Sequence, residues 1–264
     1  MGDTEHSSGL LSFTEEGTGP PLVLIHGLWM THEMFDIVLP EFSKSHRVIC
    51  PDLRGYGAST GLGPPYTIPQ MAKDVVELLD HLGIEQVDLL GYSEGGIISE
   101  CIAATYPSRV RRLILACAYA YNQGSIREKL EATIVPWLFR VIGKQRFLRF
   151  VFSRAAPELG IELANRFTKI IGSNDMKFML ISLHEANFFD ARPLLSKIVA
   201  PTLVLAGGKD NGVPMHNANE LVSGINGAHL EVLPEGRHTL IWTNADYVIT
   251  MTERFLQAPD TQLR

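Results

Sequence analysis

The sequence predicts an α/β protein whose core is a doubly wound, mostly parallel sheet, with a helical insertion between two of its strands. Two observations predict this fold. Short, continuously apolar runs alternate with amphipathic segments along most of the chain, and strand–helix alternation with right-handed crossovers produces a doubly wound sheet. One long segment, residues 124–190, breaks the alternation and contains no strand-like run.

Six apolar runs are predicted to be buried strands. None of them alternates between apolar and polar residues, which is typical of parallel strands covered on both faces. In chain order they are Leu22–Gly27, His46–Asp52, Val87–Ser93, Arg111–Ala118, Pro201–Gly208 and Ala228–Pro234. A seventh, short antiparallel strand is predicted within Gly9–Gly17, ahead of the others.

The segments between these runs carry apolar residues at helical spacing. From Thr67 to Gly83, apolar side chains recur every three or four residues, and the final glycine fits a helix C-cap. The segment Gly95–Pro107 is rich in small residues and is stopped by its proline. A further helix is predicted over Ala245–Leu256.

The insertion divides the predicted core, so that residues 1–123 and 191–264 form an α/β core and residues 124–190 form a helical cap. The cap is rich in aromatic residues. An insertion between two sheet strands would lie beyond their carboxyl ends, where open α/β sheets bind ligands. We therefore expect the cap to cover a ligand site.

Composition and charge argue against several classes of protein. The chain has 264 residues and a net charge of −6, whereas a nucleic-acid-binding protein needs a basic face. No apolar run approaches the ~20 residues of a membrane-spanning helix, and the first residues do not resemble a signal peptide. The three cysteines are widely spaced and the histidines lack metal-ligand spacing. We therefore expect a cytoplasmic protein without a metal.

The segment Gly91–Gly95 reads G-Y-S-E-G and fits the G-x-S-x-G pattern of a nucleophile elbow. This strand-to-helix turn is so tight that side chains two residues before and after the serine would clash, so glycine is needed at both places. An apolar run precedes the motif and a helix-like segment follows it, as the turn requires. Ser93 would therefore project from the carboxyl edge of the sheet.

Two further residues supply the partners that a serine nucleophile needs. A hydroxyl is a poor nucleophile near neutral pH, so it requires a base, and the base requires an acid that fixes its tautomer. Elbow folds supply these in the chain order serine, acid, histidine. Asp210 directly follows one predicted strand and His238 follows the next, so both fall on the same sheet edge as Ser93.

The backbone N–H groups of Leu28 and Glu94 are predicted to bind the oxyanion that forms during acyl transfer. In this fold one donor is the residue after the nucleophile, and the other lies in a loop after an early strand. We interpret the Glu94 side chain as an acid that favours the start of a helix. Alternatively it pairs, takes up a proton in a dry pocket, or contacts a substrate amine or hydroxyl.

With these motifs in place, the chain resembles the α/β-hydrolase superfamily, in its serine-nucleophile branch with a small helical cap, over about Gly17 to Leu256. The shared motifs are "HG" at His26, "PDLRGYGAS" at Pro51–Ser59, the elbow at Ser93, "GGKDNGVP" around Asp210, and His238. It is most similar to the small capped carboxylesterases and lactonases. The resemblance implies hydrolysis of a small ester or lactone through an acyl-serine intermediate, without a metal or an organic cofactor.

The sequence departs from the family pattern in two places. Glutamate follows the serine, where the family often has methionine, leucine or glutamine, and "GRHTLIWTN" lacks the frequent glycine before the histidine. Because a fold does not fix a reaction, other activities stay open. A cofactor-free perhydrolase, a carbon–carbon bond hydrolase and a hydrolase-like receptor for a small apolar ligand are compatible with the same three residues. The oligomeric state is not indicated.

Five side chains are candidates for lining the pocket: Trp29 and His32 after an early strand, and Trp137, His184 and Phe188 in the cap. Each also has a plain interpretation as core packing or as a surface residue. Since ligand pockets are mostly apolar, we expect some cap aromatics to reach the site.

The first half of the cap is basic in an otherwise acidic protein. Residues 125–154 carry seven arginine or lysine side chains against two glutamates. Such charges are usually a solvated helix face. The alternative is that they attract acidic substrates or a membrane surface.

Overall fold

The computed structural model describes residues 9–259. Its centre is a seven-stranded sheet in the order β1-β3-β2-β4-β5-β6-β7, in which β1 pairs antiparallel with β3 and every other pair is parallel. The strands are β1 Phe13–Glu16, β2 Pro21–Ile25, β3 Arg47–Pro51, β4 Val87–Tyr92, β5 Val110–Ala116, β6 Thr202–Gly207 and β7 His229–Leu233. The predicted fold class is confirmed, including the antiparallel strand at one edge.

Helices lie between and around these strands. They are α1 Leu39–Phe42, α2 Ile68–His81, α3 Glu94–Thr105, α4 Ile126–Ile142, α5 Lys144–Leu159, α6 Ile161–Ser173, α7 Met176–Phe188, α8 Arg192–Leu195, α9 Met215–Gly224, α10 Leu240–Thr243 and α11 Ala245–Gln257. Shorter 3-10 helices occur at His32–Phe35, Gly57–Gly61 and Pro107–Arg109. Within residues 9–259, none of the helices is long and apolar enough to cross a membrane.

Most of the apolar runs form the core, as the sequence indicates. The prediction of a buried strand is wrong for β7: it lies at the edge of the sheet, and each of its residues is exposed or half-buried. Every residue of β4 and of β6 is buried, because helices cover the sheet on both faces. The predicted helix over residues 67–83 is α2: the Thr67 hydroxyl accepts a hydrogen bond from the N–H of Gln70. The chain leaves this helix at Gly83 with φ +65°, a conformation that glycine adopts without strain.

Four helices, α4–α7, form the insertion between β5 and β6, and residues 124–190 contain no strand. A capping box begins α4: the Ser125 hydroxyl accepts from the N–H of Glu128, and the Glu128 carboxylate accepts from the N–H of Ser125 at 2.7 Å. The same buried carboxylate accepts from Asn217 Nδ2 of α9 at 3.1 Å. The start of the insertion is thereby tied to the core.

Trp29 makes a second connection between the insertion and the core. Its indole ring packs against Phe139 of α4 and Phe147 of α5, with ring centroids 6.1 and 5.5 Å away. Its Nε1 donates to the carbonyl of Met179 at 3.1 Å and to the hydroxyl of Ser182 at 3.2 Å, both in α7. Three of the four inserted helices therefore contact one side chain from the loop after β2.

Candidate active site

Ser93 occupies the sharp corner between β4 and α3. Its backbone has φ +54° and ψ −117°, a conformation that non-glycine residues rarely adopt. A Cβ atom at Gly91 would lie 2.3 Å from the carbonyl oxygen of Gly95, and one at Gly95 would lie 2.1 Å from that of Ile25. Both glycines are therefore required by the close packing of the turn, as the elbow pattern predicts.

The structure brings Ser93, His238 and Asp210 together at the carboxyl edge of the sheet. His238 Nε2 lies 3.1 Å from Ser93 Oγ, and His238 Nδ1 lies 2.8 Å from Asp210 Oδ2. The other carboxylate oxygen of Asp210 accepts from the backbone N–H groups of Gly212 and Val213, each at 2.8 Å. The carboxylate is thus held in one orientation, with the histidine ring between it and the serine.

The electrostatics of the pair favour a charged histidine ring. Burial lowers the pKa of His238, but the charge of Asp210 and its hydrogen bond outweigh burial, so that the pKa is raised above 6.5. The Asp210 carboxylate is almost fully buried, whereas the His238 side chain is 36% exposed. The histidine is therefore accessible to a ligand, and the acid behind it is not.

Two residues that the sequence analysis did not identify, Tyr92 and Cys117, contact the backbone of the loop that carries His238. The Tyr92 hydroxyl donates to the backbone carbonyl of His238 at 2.5 Å. The Cys117 thiol lies 4.0 Å from the carbonyl oxygen of Arg237, and Cys117 has φ +47°. Cys117 directly follows β5 and therefore lies at the same sheet edge as Ser93. This position in the sequence could have identified it as a candidate.

A third support comes from the insertion. Glu158, in α5, accepts a hydrogen bond from the Thr239 hydroxyl, and its carboxylate lies 4.0 Å from the Arg237 guanidinium. Burial raises the pKa of Glu158, partly offset by Arg237, and the nearby Asp210 charge raises it further. The residues on both sides of His238 are thus contacted by the insertion.

The predicted oxyanion donors lie on two turns that meet at Ser93. After β2 the chain turns sharply, with Met30 N–H donating to the Gly27 carbonyl at 3.1 Å and Trp29 at φ +62°. A Cβ atom at Gly27 would lie 3.3 Å from Ser93 Cβ, so the backbone just before Leu28 passes beside the serine. Glu94 begins α3, where first-turn N–H groups have no intrahelical partner.

Glu94 lies in the first turn of α3, as the interpretation of a helix-start acid requires, but its side chain is not exposed to solvent. It is fully buried, and its Oε2 accepts from the Tyr56 hydroxyl at 2.9 Å, while Oε1 has no hydrogen-bond partner among residues 9–259. Burial raises the pKa of Glu94 to about 8; the Tyr56 hydrogen bond opposes this rise and the Glu185 charge adds to it. The alternative of proton uptake in a dry environment fits this site better.

Two of the predicted pocket-lining residues lie in the loop after β2, beside the site. Trp29 is buried against the insertion, as described above. His32 Nδ1 lies 2.8 Å from Asp52 Oδ1, which also accepts from the His32 N–H at 2.9 Å. Since Asp52 Oδ2 accepts from the N–H of Ala58, Asp52 connects two loops and His32 belongs to that connection.

The placement of Trp137, His184 and Phe188 does not support a role in lining the pocket. Trp137 is 61% exposed, on the side of α4 opposite the buried Phe139. His184 stacks on Phe188 with ring centroids 4.6 Å apart, and both are exposed on α7. Aromatic content alone predicts that a helix has an apolar face, but not which of two apolar faces points inward.

One group of side chains in the described residues could approach a metal ion. The ligand atoms of Cys117, Asp210 and His238 lie within 4.8 Å of one another. Burial raises the pKa of the Cys117 thiol, so its metal-binding thiolate form is disfavoured. Asp210 and His238 are already hydrogen-bonded to each other, and His238 Nε2 lies 3.1 Å from the Ser93 hydroxyl oxygen.

Comparisons with known proteins identify the family to which the chain belongs. A sequence profile of the family described as "alpha/beta hydrolase fold" matches residues 20–245. The chain is 31% identical over 221 residues to 3-oxoadipate enol-lactonase 2 from Acinetobacter baylyi, with 81% of this chain and 80% of that protein covered. It is 30% identical over 248 residues to 2-hydroxymuconate semialdehyde hydrolase from a Pseudomonas species, with 88% and 84% covered.

Among solved structures, an esterase from Exiguobacterium antarcticum superposes with a TM-score of 0.87 at 25% identity, covering 98% of this chain and 100% of that one. The likeness thus extends beyond the motifs to the arrangement of the whole chain. Because the family profile spans most of the sequence and the fold agrees with it, the chain belongs to the α/β-hydrolase family.

Proposed function

We propose that the protein is a serine hydrolase that cleaves carboxylic esters or lactones of small, largely apolar substrates through an acyl-serine intermediate. The observation that carries the proposal is the series of contacts from Ser93 Oγ to His238 at 3.1 Å and from His238 to Asp210 at 2.8 Å. A nucleophile, a base and an orienting acid are what acyl transfer requires. Relatives named esterase and enol-lactonase support the substrate class.

In the proposed reaction, His238 Nε2 takes the Ser93 proton as the serine oxygen attacks the carbonyl carbon. Asp210 holds the ring tautomer and stabilises the imidazolium that forms. The imidazolium then protonates the departing alkoxide oxygen, leaving an acyl-serine. A water molecule, deprotonated by His238, hydrolyses this ester and restores the serine hydroxyl. When the substrate is a lactone, the leaving oxygen stays attached to the acyl chain and one product results.

The oxyanion is proposed to accept hydrogen bonds from the N–H groups of Leu28 and Glu94. A negative charge on the Glu94 side chain would oppose this stabilisation. Because burial raises the pKa of Glu94 to about 8, the group is neutral below that pH and the repulsion is absent. The buried environment of Glu94 is thus compatible with its place next to the nucleophile.

We also propose that residues 124–190 act as a cap over the site. Glu158 contacts both neighbours of His238, and Arg127 donates to the carbonyl of Asn211, next to Asp210, at 3.3 Å. Residues of the insertion thus contact the loops of both the base and the acid.

The test is steady-state hydrolysis of p-nitrophenyl acetate, butyrate and octanoate, and of an enol-lactone, by the wild type and by Ser93→Ala. Loss of activity on the order of 10³-fold or more is expected for a nucleophile of this kind. Ser223→Ala is the control, since Ser223 is exposed on α9 and donates to the carbonyl of Asn219 at 2.7 Å, outside the elbow.

Equal, feeble rates in the wild type and Ser93→Ala would overturn the proposal. Formation of a peracid from an ester and hydrogen peroxide would then point to perhydrolysis. Stoichiometric binding of an apolar ester without turnover would point instead to a receptor.

A further inference from the structure

One face of α4 exposes a continuous row of large apolar side chains. Trp137 is 61% exposed and Ile126 is 79% exposed. The complete row, hereafter the α4 stripe, consists of Ile126, Leu130, Ile134, Trp137, Leu138 and Val141. Residues at spacings of three and four share one side of a helix. With a rise of 1.5 Å per residue, the stripe is about 22 Å long.

The α4 stripe is separate from the core. The opposite side of α4 is the one that packs inward, through Glu128, Ala132 and Phe139. The helix therefore has two apolar sides, of which one packs within residues 9–259 and the other is exposed there. A contiguous exposed apolar surface of this extent is uncommon on a monomeric protein and usually marks an interaction site.

Basic side chains border the stripe. Lys129 and Arg140, each three residues after a stripe residue and therefore beside it on the surface of α4, are exposed. A groove of about 690 Å³ between α4 and α7 is lined by Arg140, Lys177, Met176, Leu180, Ile181 and His184. It adds a further cation and further apolar surface beside the stripe.

The acidic residues of α4 do not neutralise this border. Glu131 pairs with Arg127 at 2.7 Å, and Glu128 is buried against α9. The region is thus apolar along its centre and cationic at its edge, although the chain as a whole has a net charge of −6.

We propose that the α4 stripe docks on the surface of an anionic lipid bilayer. A helix with bulky apolar residues on one face and arginine or lysine beside them lies in the interface plane, with its apolar face among the lipid chains. The Lys129 ammonium and the Arg140 guanidinium would then contact lipid phosphates. Charge complementarity thus selects an anionic lipid surface as the occupant.

A second copy of the chain fits the stripe less well. A two-fold dimer places the same surface on both sides of the interface, so the basic border of one copy would meet that of the other. The residues outside the described range read "MGDTEHSS" and "DTQLR" and offer little apolar surface to cover the stripe.

The stripe begins beside the candidate active site. Arg127, next to Ile126, donates to the carbonyl of Asn211 in the loop of Asp210. Docking through the stripe would therefore hold that rim of the site near the lipid. The docking surface goes beyond the proposed hydrolase activity and does not depend on it.

The first measurement is flotation of the full-length protein with vesicles of phosphatidylcholine mixed with phosphatidylglycerol, and with vesicles of phosphatidylcholine alone. We expect binding to the anionic vesicles that weakens with added salt. Fluorescence reports the geometry, because Trp137 is exposed whereas Trp29 is buried and Trp242 is half-buried. Emission should shift to shorter wavelength with vesicles in the wild type and not in Trp137→Phe.

Paired variants separate the apolar and the charge contributions. The double variant Ile134→Ser/Trp137→Ser should bind anionic vesicles about tenfold or more weakly. Lys129→Glu/Arg140→Glu should lose the preference for anionic over neutral vesicles. The matched control is Val199→Ser, which changes an equally exposed apolar residue outside the insertion. Circular dichroism and thermal unfolding establish that each variant is folded.

Vesicle binding by the wild type that Val199→Ser retains and the stripe variant loses would support the proposal. Absence of binding, or equal binding by the stripe variant, would overturn it. So would a wild-type dimer in size-exclusion chromatography that Ile134→Ser/Trp137→Ser converts to a monomer, because the stripe would then be an interface between copies. Because the vesicle lipids are themselves esters, the flotation is repeated with Ser93→Ala. Vesicle binding that this variant retains is independent of hydrolysis, so failure of the hydrolase proposal would leave the result interpretable.

Discussion

The carboxyl group of Glu94 lies directly after the proposed nucleophile and has no contact with solvent. Its pKa of about 8 in the folded protein compares with 4.5 in an exposed chain. Between these values the folded protein binds more protons than the unfolded chain. The free energy of unfolding should therefore decrease as pH rises across this window, by at most about 1.4 kcal/mol per pH unit from this group.

The variant Glu94→Gln tests this expectation. An amide of similar shape stays neutral, so the part of the pH slope that comes from residue 94 should vanish. Urea unfolding of both proteins at several pH values between 5 and 9, a range set by the two pKa values, measures the difference. Parallel curves would show that Glu94 is already ionised in the folded protein.

The ionisation of His238 sets a second pH dependence. The base must be neutral to accept the Ser93 proton, and Asp210 raises the pKa of His238 above 6.5. We expect kcat/KM to decrease as pH falls through a pKa higher than 6.5. In Asp210→Asn the acid limb should move to lower pH, and kcat should decrease by about 10⁴-fold. Profiles of kcat and kcat/KM against pH, for the wild type and Asp210→Asn, measure both effects. If the acid limb does not move in Asp210→Asn, a group other than His238 is responsible for it.

At this scale the sequence predicts identities better than environments. Ser93, Asp210 and His238 could be grouped because each follows an apolar run in a known order. The state of Glu94 stayed open among several alternatives, because it depends on burial by residues distant in the sequence, such as Tyr56, which lies 38 residues away. The support from Cys117 depends on a left-handed backbone conformation, φ +47°, for which cysteine carries no local signal.

At the scale of elements, α4 is attached to the core through the buried carboxylate of Glu128. Its hydrogen bonds satisfy Ser125 and Asn217, and a nitrogen of His216 lies 3.1 Å from it. Glu128→Ala should lower the free energy of unfolding by about 1–3 kcal/mol, because buried donors lose their acceptor. Glu131→Ala, in the same helix with an exposed pair, is the control and should change it by less than about 1 kcal/mol.

Urea or thermal unfolding measures this difference. If the two variants destabilise the protein equally, Glu128 is not the attachment. Limited proteolysis gives an independent readout, because cleavage within residues 124–143 should be faster in Glu128→Ala than in Glu131→Ala.

The strands and the insertion show why some features of the fold can be predicted from the sequence and others cannot. Strands covered on both faces need uninterrupted apolar runs, so β2, β4, β5 and β6 were visible in the sequence. In the insertion, the pattern indicates helices but not their orientation. Trp137 and Phe139 are two residues apart in α4, and only the second points inward.

At the scale of the whole molecule, the sheet and the insertion differ in how deeply they are buried. β4 and β6 are entirely buried, whereas most residues of α4–α6 are exposed or half-buried. We therefore expect the amides of β4 and β5 to exchange hydrogen only on global unfolding, and those of α4–α6 to exchange through local opening. Hydrogen exchange with mass spectrometry measures this. Equal protection of the amides in β4 and β5 and of those in α4–α6 against exchange would argue against a separate cap.

The contacts of Trp29 have a consequence for communication across the molecule. Trp29, which directly follows Leu28, donates hydrogen bonds to Met179 and Ser182 of α7. The helix α7 and the turn after β2 therefore form one rigid linkage. A ligand that shifts α7 must also strain this turn, and a ligand that orders the turn must favour one position of α7. By reciprocity of coupled equilibria, binding of one ligand at α7 and of another at the turn after β2 would then influence each other.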